Sequence, residues 1–206
     1  MNQKIDILKK YMPESAAPVI AKWIDHYRCE FKISRTRNTK LGDYRPPYEG
    51  HGHRISVNYN LNPYAFLVTT VHEFAHLKTW NEHQRNAKPH GQEWKNNFKL
   101  MMRPFFELQL FPKEIHSAIL NYLENPAASS CADLGLYKAL KTFDAKQPNA
   151  LMVEQVPDQQ EFYLKNGRKF KKLERIRKRY RCVETASGLV YLFSPVAEVY
   201  LAKNPD

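Results

Sequence analysis

Three histidines and one glutamate at regular spacing constrain the fold of this chain more than any other feature. His72 and His76 are four residues apart, Glu73 directly follows the first of them, and His90 comes fourteen residues after the second. Residues four apart share one helix face, about 5–6 Å between Cβ atoms, so both histidines can bind one metal ion if this segment is helical. Glu73 is rotated by about 100° around that helix, where its carboxylate can reach a water molecule at the ion. The spacing predicts a helix that carries a hydrolytic zinc site.

A catalytic zinc site normally has three protein ligands, so a third donor is required. Glu82 and His83 lie six and seven residues beyond the second histidine, and in a continuous helix they would be about 9–10 Å further along the axis. His90 is the preferred candidate, because a proline before it and a glycine after it indicate a change of chain direction at the start of another helix. The predicted zinc ligands are therefore His72, His76 and His90, with Glu73 as the catalytic base.

Apolar periodicity predicts an α+β arrangement around this site. Residues 14–28 have the stripe of an amphipathic helix, and two short strands near residues 31–33 and 55–59 flank a loop between residues 42 and 52. Asn62 and Pro63 are typical of a helix start, which predicts a ligand helix from there to about residue 80. A further helix is predicted from residue 91 to about 102, ending near Pro104. Its Trp94, Phe98 and Met101 are expected in the core because their spacing is helical.

The segment HEFAHLKTW at residues 72–80, followed by HGQEW at residues 90–94, closely resembles the SprT-like family. Upstream, residues 40–45 and 55–63 look like the strand region that leads into the family's metal-binding helix. The resemblance covers residues 15–105. It implies a zincin-like metalloprotease core, with His72, His76 and His90 as zinc ligands and Glu73 as catalytic base. Many bacterial members also have a C-terminal zinc ribbon built from cysteine pairs, whereas Cys182 here has no second cysteine nearby.

The formal charge of +11 is concentrated in residues 165–181, which we call the basic segment. Ten basic residues face a single acid there, Glu174, so the segment alone has a net charge of +9. Such a block predicts contact with a polyanion such as DNA, although it can also be a solvated strand surface. The candidate nucleic-acid-binding residues are Lys165, Arg168, Lys169, Lys171, Lys172, Arg175, Arg177, Lys178, Arg179 and Arg181.

The chain is predicted to contain two domains. Two shorter helices are predicted at residues 113–125 and 132–143, and short β segments follow at residues 162–164, 170–173, 178–183 and 189–193, with a hairpin turn at residues 186–188. The prolines between residues 144 and 158 indicate a boundary. We therefore expect a zincin-like catalytic domain with its following helices at residues 1–145, and a small basic β-rich module at residues 158–206.

Composition and the first residues predict where in the cell the protein resides. The chain has 206 residues, 43% of them hydrophobic, and no run approaches the 18 apolar residues of a membrane span. The first residues lack the apolar stretch of a signal peptide, which predicts a cytoplasmic protein with no membrane partner. Cys29, Cys131 and Cys182 are few and widely spaced, as expected of reduced thiols rather than a disulfide framework.

The sequence therefore predicts a zinc-dependent metalloendopeptidase of the SprT-like type, acting on DNA-associated or DNA-crosslinked proteins through its basic segment. The link to DNA-associated substrates comes from the resemblance. Two other classes stay open: a non-catalytic nucleic-acid-binding protein with a structural zinc, and a zinc hydrolase of small molecules. Glu73 counts against the first, because a structural zinc needs no base. The basic segment counts against the second. His51 and His53, in the loop before the second predicted strand, are candidates for groups that support the metal site or contact substrate, or are ordinary surface histidines.

Overall fold

The chain forms two compact units in the computed structural model, which describes residues 2–37, 40–124, 126, 133–144 and 149–202. Unit 1 comprises Met1–Asp144 and unit 2 comprises Ala145–Asp206. Helices and strands occur together in the first unit and strands dominate the second, so the predicted α+β class is confirmed. Within the described ranges, no helix is both long enough and apolar enough to cross a membrane.

Unit 1 begins with two helices. Helix α1 covers Asn2–Leu8, and helix α2 covers Ala17–His26 after a short 3-10 turn at Glu14–Ala16. The amphipathic helix predicted at residues 14–28 is confirmed over most of its length, and Ile20 and Ile24 on its apolar stripe are buried. Helix α1 was not predicted from the sequence.

A three-stranded sheet follows, with β1 at Glu30–Ser34, β2 at Gly42–Arg45 and β3 at Arg54–Asn58. The order is β1-β3-β2, with β1 parallel and β2 antiparallel to the central β3. Apolar alternation assigned residues 42–52 to a loop, which is wrong for β2, whereas the resemblance placed residues 40–45 in the strand region. The four residues of β2 have no alternating pattern, and backbone hydrogen bonds to β3 hold them in the sheet.

Helix α3, at Pro63–His83, carries two of the predicted ligands, His72 and His76, and is the longest in unit 1 among the described elements. The side chain of Asn62 accepts hydrogen bonds from the backbone N–H groups of Tyr64 and Ala65, at 3.1 and 3.0 Å, and so caps the helix as predicted. The helix ends three residues beyond the expected position. Phe66, Leu67 and Phe74 are fully buried, which anchors α3 in the core of unit 1.

Helix α4 covers Gln92–Glu107 and continues through Pro104. The prediction that it stops near this proline is wrong. Proline removes one N–H from the helix, but the burial of Met102 and Phe105 on either side offsets that loss. The backbone N–H of Leu108 donates to the Pro104 carbonyl at 3.1 Å, so the helical pattern resumes after it.

Two shorter helices complete unit 1, as predicted. Helix α5 covers Lys113–Glu124 and helix α6 covers Leu134–Lys141. The predicted ends at residues 125 and 132 lie outside the described residues, as does Cys131. Asn62 also joins this part of the unit to α3, because its amide donates to the Leu140 carbonyl at 2.8 Å.

Unit 2 is an antiparallel sheet with the strand order β4-β9-β5-β6-β7-β8. Its strands are β4 at Ala150–Met152, β5 at Glu161–Tyr163, β6 at Lys169–Ile176, β7 at Arg179–Glu184, β8 at Val190–Phe193 and β9 at Glu198–Tyr200. The four predicted strands are confirmed, while the three-residue strands β4 and β9 were missed. Phe162, Phe170, Cys182 and Val199 form its buried core. Packing of these side chains stabilises the module, in which Cys182 is a buried free thiol.

Candidate metal centre

Two helices of unit 1 bring the three predicted histidine ligands together. His72 and His76 lie one turn apart on α3, and His90 is in the turn that precedes α4. The Nε2 atom of His76 is 3.2 Å from that of His72 and 3.0 Å from that of His90. The Nε2 atoms of His72 and His90 are 3.2 Å apart. Three ligands about 2.0 Å from a tetrahedral ion are about 3.3 Å apart, so the nitrogen triangle fits one zinc ion.

The protonation state of these imidazoles suits a metal site. Burial, with a smaller contribution from the neighbouring His90, lowers the pKa of His76 to about 3. Burial also lowers the pKa of His72 well below its usual value and lowers that of His90. All three rings are therefore neutral near pH 7, which is the form that binds metal.

The three Nε2 atoms cannot satisfy one another by hydrogen bonding. A neutral imidazole nitrogen has either a proton or a lone pair in the ring plane, but not both. Among three converging nitrogens, at least two must therefore present the same kind of group to each other. An ion that accepts all three lone pairs removes this conflict, so the donor set itself fits a cation.

Backbone geometry places His90 in the site. Its φ of 56° is left-handed, a conformation that few residues other than glycine adopt. The N–H of Gly91 donates to the Lys88 carbonyl at 2.8 Å, closing the turn, and a Cβ atom at residue 91 would lie only 2.9 Å from that oxygen. This tight turn reverses the chain and returns His90 to α3, as the flanking proline and glycine indicated.

Trp94 supports all three imidazoles from one side. Its ring centroid is 4.6 Å from that of His72, 5.3 Å from that of His76 and 4.7 Å from that of His90. Phe98 stacks on the indole at 5.2 Å, and both residues are fully buried. The prediction that they belong to the core is confirmed, and the core here also excludes water from the back of the histidine cluster.

Glu73 directly follows His72 on α3, and its buried side chain occupies a space that a glycine leaves open. A Cβ atom built on Gly42 of β2 would be 2.4 Å from the carboxylate oxygen Oε1 of Glu73 and 2.8 Å from its Cγ atom. Only glycine at residue 42 thus allows this position of the carboxylate, a requirement that sequence reasoning did not identify. Burial, followed by the negative charge of Asp43, raises the pKa of Glu73 to about 8. A dication nearby would lower that pKa again.

The alternative third ligands lie elsewhere. Glu82 accepts hydrogen bonds from Lys78 and from the amide of Asn97, the latter at 2.6 Å, so it links α3 to α4. His83 is exposed at the end of α3. Among the described residues, the cluster of possible metal ligands consists of the three histidines alone.

Tyr44 and His53 form a supporting pair that the sequence barely indicated. The Tyr44 ring is parallel to the His76 ring, 2° between planes and 6.4 Å between centroids. Its hydroxyl group is 2.9 Å from Nδ1 of His53, and burial raises the Tyr44 pKa. His53, one of two loop histidines in question, therefore contacts the site through Tyr44. His51 is exposed.

The basic segment lies on β6, β7 and the loops around them, and its charges are not equivalent. Carboxylates pair three of them: Arg168 with Glu184, Lys169 with Glu161, and Arg181 with Glu174. The remaining residues outside the core are Lys165, Lys171, Arg175, Arg177, Lys178 and Arg179, and no carboxylate partner is found for them in the described part of the chain.

Lys172 is a correction to the candidate nucleic-acid-binding set. Its side chain is 3% exposed and its ammonium group donates to the Val156 carbonyl at 2.5 Å. The same group is 3.3 Å from Asp158 and 4.2 Å from the centre of the Tyr180 ring. Strand alternation turns this lysine inward, so it stabilises unit 2 and is not available to a phosphate.

Unpaired charge is concentrated at the turn between β6 and β7. Arg175 is near the end of β6, Arg177 and Lys178 form the turn, and Arg179 begins β7. All four are exposed, and Ile176 between them is 42% exposed. We call residues 175–179 the hairpin tip. Pairing and burial elsewhere in the basic segment leave most of its free charge at this tip.

No protein-family model, curated protein or solved structure matches this chain. The resemblance to the SprT-like family therefore stays a prediction, which depends on the residues quoted above.

Proposed function

We propose that this protein is a zinc-dependent metalloendopeptidase of the SprT-like type, with a zincin-like core, that acts in the cytoplasm on DNA-associated or DNA-crosslinked proteins. One observation carries the catalytic part of the proposal. Glu73, a buried carboxylate, directly follows His72 on α3, and the Nε2 atom of that histidine lies 3.2 Å from those of His76 and His90. A metal site that serves only as a structural support has no use for a buried carboxylate that does not bind the ion.

Each residue of the centre has a distinct role in peptide hydrolysis. His72, His76 and His90 hold the zinc ion, and Trp94 keeps their rings in place. Zinc, when bound, polarises a peptide carbonyl and makes water acidic enough to attack near neutral pH. The Glu73 carboxylate accepts the proton of the attacking water and donates it to the leaving amine. The chain forms no covalent bond to the substrate in this scheme.

The sheet beside the centre supports a peptide as the substrate. Strand β2 is at the edge of the sheet, pairs only with β3 among the described strands, and includes Gly42 and Tyr44 of the site. An edge strand has unpaired backbone groups on one side, to which an extended peptide can add as a further strand. A small molecule has no need of such an edge.

The hairpin tip supports nucleic acid as the partner that recruits the enzyme. Its four exposed basic residues have no carboxylate partner among the described residues. A two-stranded β ribbon fits the major groove of DNA, and cationic side chains on it bind phosphates by releasing counterions. We therefore expect binding to DNA to bring protein substrates within reach of the metal centre.

The alternative is a non-catalytic nucleic-acid-binding protein with a structural zinc. Structural zinc sites are usually closed by four protein ligands, often cysteines. The described part of the chain offers three histidines at this position and no fourth donor within reach. This donor set favours the catalytic proposal.

The deciding experiment is metal analysis of the purified protein combined with cleavage of casein, with and without DNA, for the parent and a Glu73→Gln variant. We expect about one zinc per chain in both proteins. Glutamine keeps the size of the side chain but does not accept a proton, so cleavage by the variant should fall by about 10²–10⁴-fold or more.

Two comparisons are needed to interpret this experiment. Thermal unfolding of the two proteins should be similar, which separates loss of catalysis from loss of fold. Equal cleavage by the parent and by a zinc-loaded Glu73→Gln variant would contradict the mechanism, and zinc binding without any cleavage would favour the non-catalytic alternative.

A further inference from the structure

A cavity of about 290 Å³ adjoins the metal centre on the side of His76. Its walls include the aromatic rings of Tyr44, Trp80 and Trp94, and its basic lining residues are Arg85 and Lys88. Because His76 itself lines the cavity, a substrate at the metal centre would place a neighbouring side chain here. This position makes the cavity a candidate for determining specificity.

The size of the cavity suits one amino-acid side chain. At about 30 Å³ per water molecule, it has room for about ten waters, which is at the lower end of the range for ligand pockets. A single side chain fits in such a volume together with several water molecules, whereas a folded segment does not fit. The aromatic walls favour the aliphatic part of that side chain.

Charge decides which side chain fits best. Arg85 and Lys88 are exposed, and neither has a carboxylate partner in the ranges that the structure describes. The indole N–H of Trp94 is buried and has no acceptor in those ranges. None of the residues that line the cavity is acidic. The two exposed cations at this wall thus lack a carboxylate partner among the described residues, and both are hydrogen-bond donors.

We propose that this cavity binds a substrate side chain next to the scissile bond and selects an anionic one, aspartate or glutamate. The inference rests on the proposed peptidase function. Arg85 and Lys88 are the specificity-determining residues, because their charges complement a carboxylate that none of the described residues supplies.

The same connection between helices builds both the cavity and the metal centre. Residues 84–89 follow α3, contribute Arg85 and Lys88 to the wall, and lead directly into His90. Gln84 and His90, at the two ends of this connection, both have a positive φ, of 52° and 56°. Because the connection is short, its two cations lie close to the third zinc ligand in the chain and can contact a substrate near the reacting bond.

The test is to digest a random-sequence peptide library with the zinc-loaded full-length protein and to map the cleavage sites by mass spectrometry. Aspartate and glutamate should be enriched at one position that flanks the cleaved bond. For matched peptides with Glu, Gln or Lys there, we expect kcat/KM for Glu to exceed that for Lys about five- to tenfold, a modest ratio because both cations are exposed.

Charge-reversed variants make the assignment specific. The double variant Arg85→Glu, Lys88→Glu should shift the preference to Lys and Arg, and Arg85→Gln, Lys88→Gln should abolish it. Lys10→Glu with Lys22→Glu is the matched control, because both residues are exposed, do not line the cavity and change the net charge equally. The control should retain the parent preference, and zinc content and thermal unfolding should be unchanged in every variant.

The two levels of the proposal fail in different ways. Cleavage that depends on Glu73 but shows no acidic preference, or a preference that the charge-reversed variant keeps, would overturn the assignment of this cavity alone. A neutral aromatic preference would do the same. Absence of Glu73-dependent cleavage would overturn the peptidase function and the inference with it.

Discussion

The proposed metal centre of unit 1 and the basic segment of unit 2 place their functional groups in opposite ways. At this centre, two histidines of α3 and one in the turn before α4 converge until their Nε2 atoms are 3.0–3.2 Å apart, and burial keeps the rings neutral. In the basic segment, neighbours along one hairpin display their charges to solvent, and distances between those charges are set by the chain itself.

This difference predicts different responses to substitution. A centre that depends on convergence should fail when one atom is moved or removed, because three ligands act as a unit. A surface that depends on summed charge should lose affinity gradually, about one phosphate contact for each basic residue removed. The four predictions below test this contrast, from the largest expected effect to the smallest.

The largest effect is expected for His90→Ala. With two of three ligands left, bound zinc should fall well below one equivalent per chain in a dilute chelator, and peptide hydrolysis should fall with it. His83→Ala is the matched control, because His83 is exposed and lies outside the cluster. Metal analysis after dialysis measures both. Full zinc content in His90→Ala, or loss of zinc in the control, would show that His90 is not the third ligand.

A large effect is also expected for Gly42→Ala, although residue 42 binds nothing. The added Cβ would lie 2.4 Å from Oε1 of Glu73, so the carboxylate must move. A displacement of about 1 Å at a catalytic group can cost about 10²-fold in rate, so kcat should fall by about that factor while zinc stays bound.

Gly52→Ala is the matched control for this variant. The nearest atom to a Cβ at residue 52 is 3.9 Å away, an ordinary contact, so kcat should be unchanged. Zinc content reports whether the centre itself survives in each protein. If Gly42→Ala hydrolyses peptides as fast as Gly52→Ala, the carboxylate does not need the space that this glycine leaves.

A graded effect is expected at the hairpin tip. Replacing Arg175, Arg177 and Lys178 by Gln should weaken DNA binding and reduce the slope of log K against log salt by up to about 3 units. The matched control replaces Arg168, Lys169 and Arg181, which removes the same charge but from residues already paired with carboxylates. Its slope should change less.

Binding isotherms at several salt concentrations measure both triple variants, while hydrolysis of a free peptide should be unaffected in either. Equal salt slopes for the two triple variants would show that pairing with a carboxylate does not reduce the contribution of a basic residue to DNA binding. A slope of zero in the parent would mean that the basic segment is only a solvated surface.

The smallest effect is expected for Lys172→Met, and it should appear in stability rather than in binding. Methionine fills a similar volume but leaves the Val156 carbonyl without its donor, which costs about 1–3 kcal/mol when the group is buried. Lys171→Met, on the opposite sheet face, should cost less than about 0.5 kcal/mol.

Urea unfolding measures the stability of both lysine variants, and DNA binding supplies the cross-check. The salt slope should be unchanged in Lys172→Met, because a buried ammonium group contacts no phosphate. A fall in DNA affinity together with unchanged stability would return Lys172 to the set of nucleic-acid-binding residues.

Local sequence by itself determined the ligand helix and the concentration of charge. Asn62 caps α3 through N–H groups two and three residues away, and His72 and His76 share a face because of the helical repeat. Both depend only on residues within one or two turns. The net charge of residues 165–181 is likewise a property of the chain alone.

Only the tertiary structure decided how His90 meets α3, that Gly42 leaves room for Glu73, and that a cavity opens beside His76. It also decided that α4 continues through Pro104 and that Lys172 is buried. These features depend on contacts between residues far apart in sequence, whose energies exceed local preferences. The type of a residue indicates its preferred backbone conformation and its charge. The space around its side chain and the groups that it contacts depend on the rest of the fold.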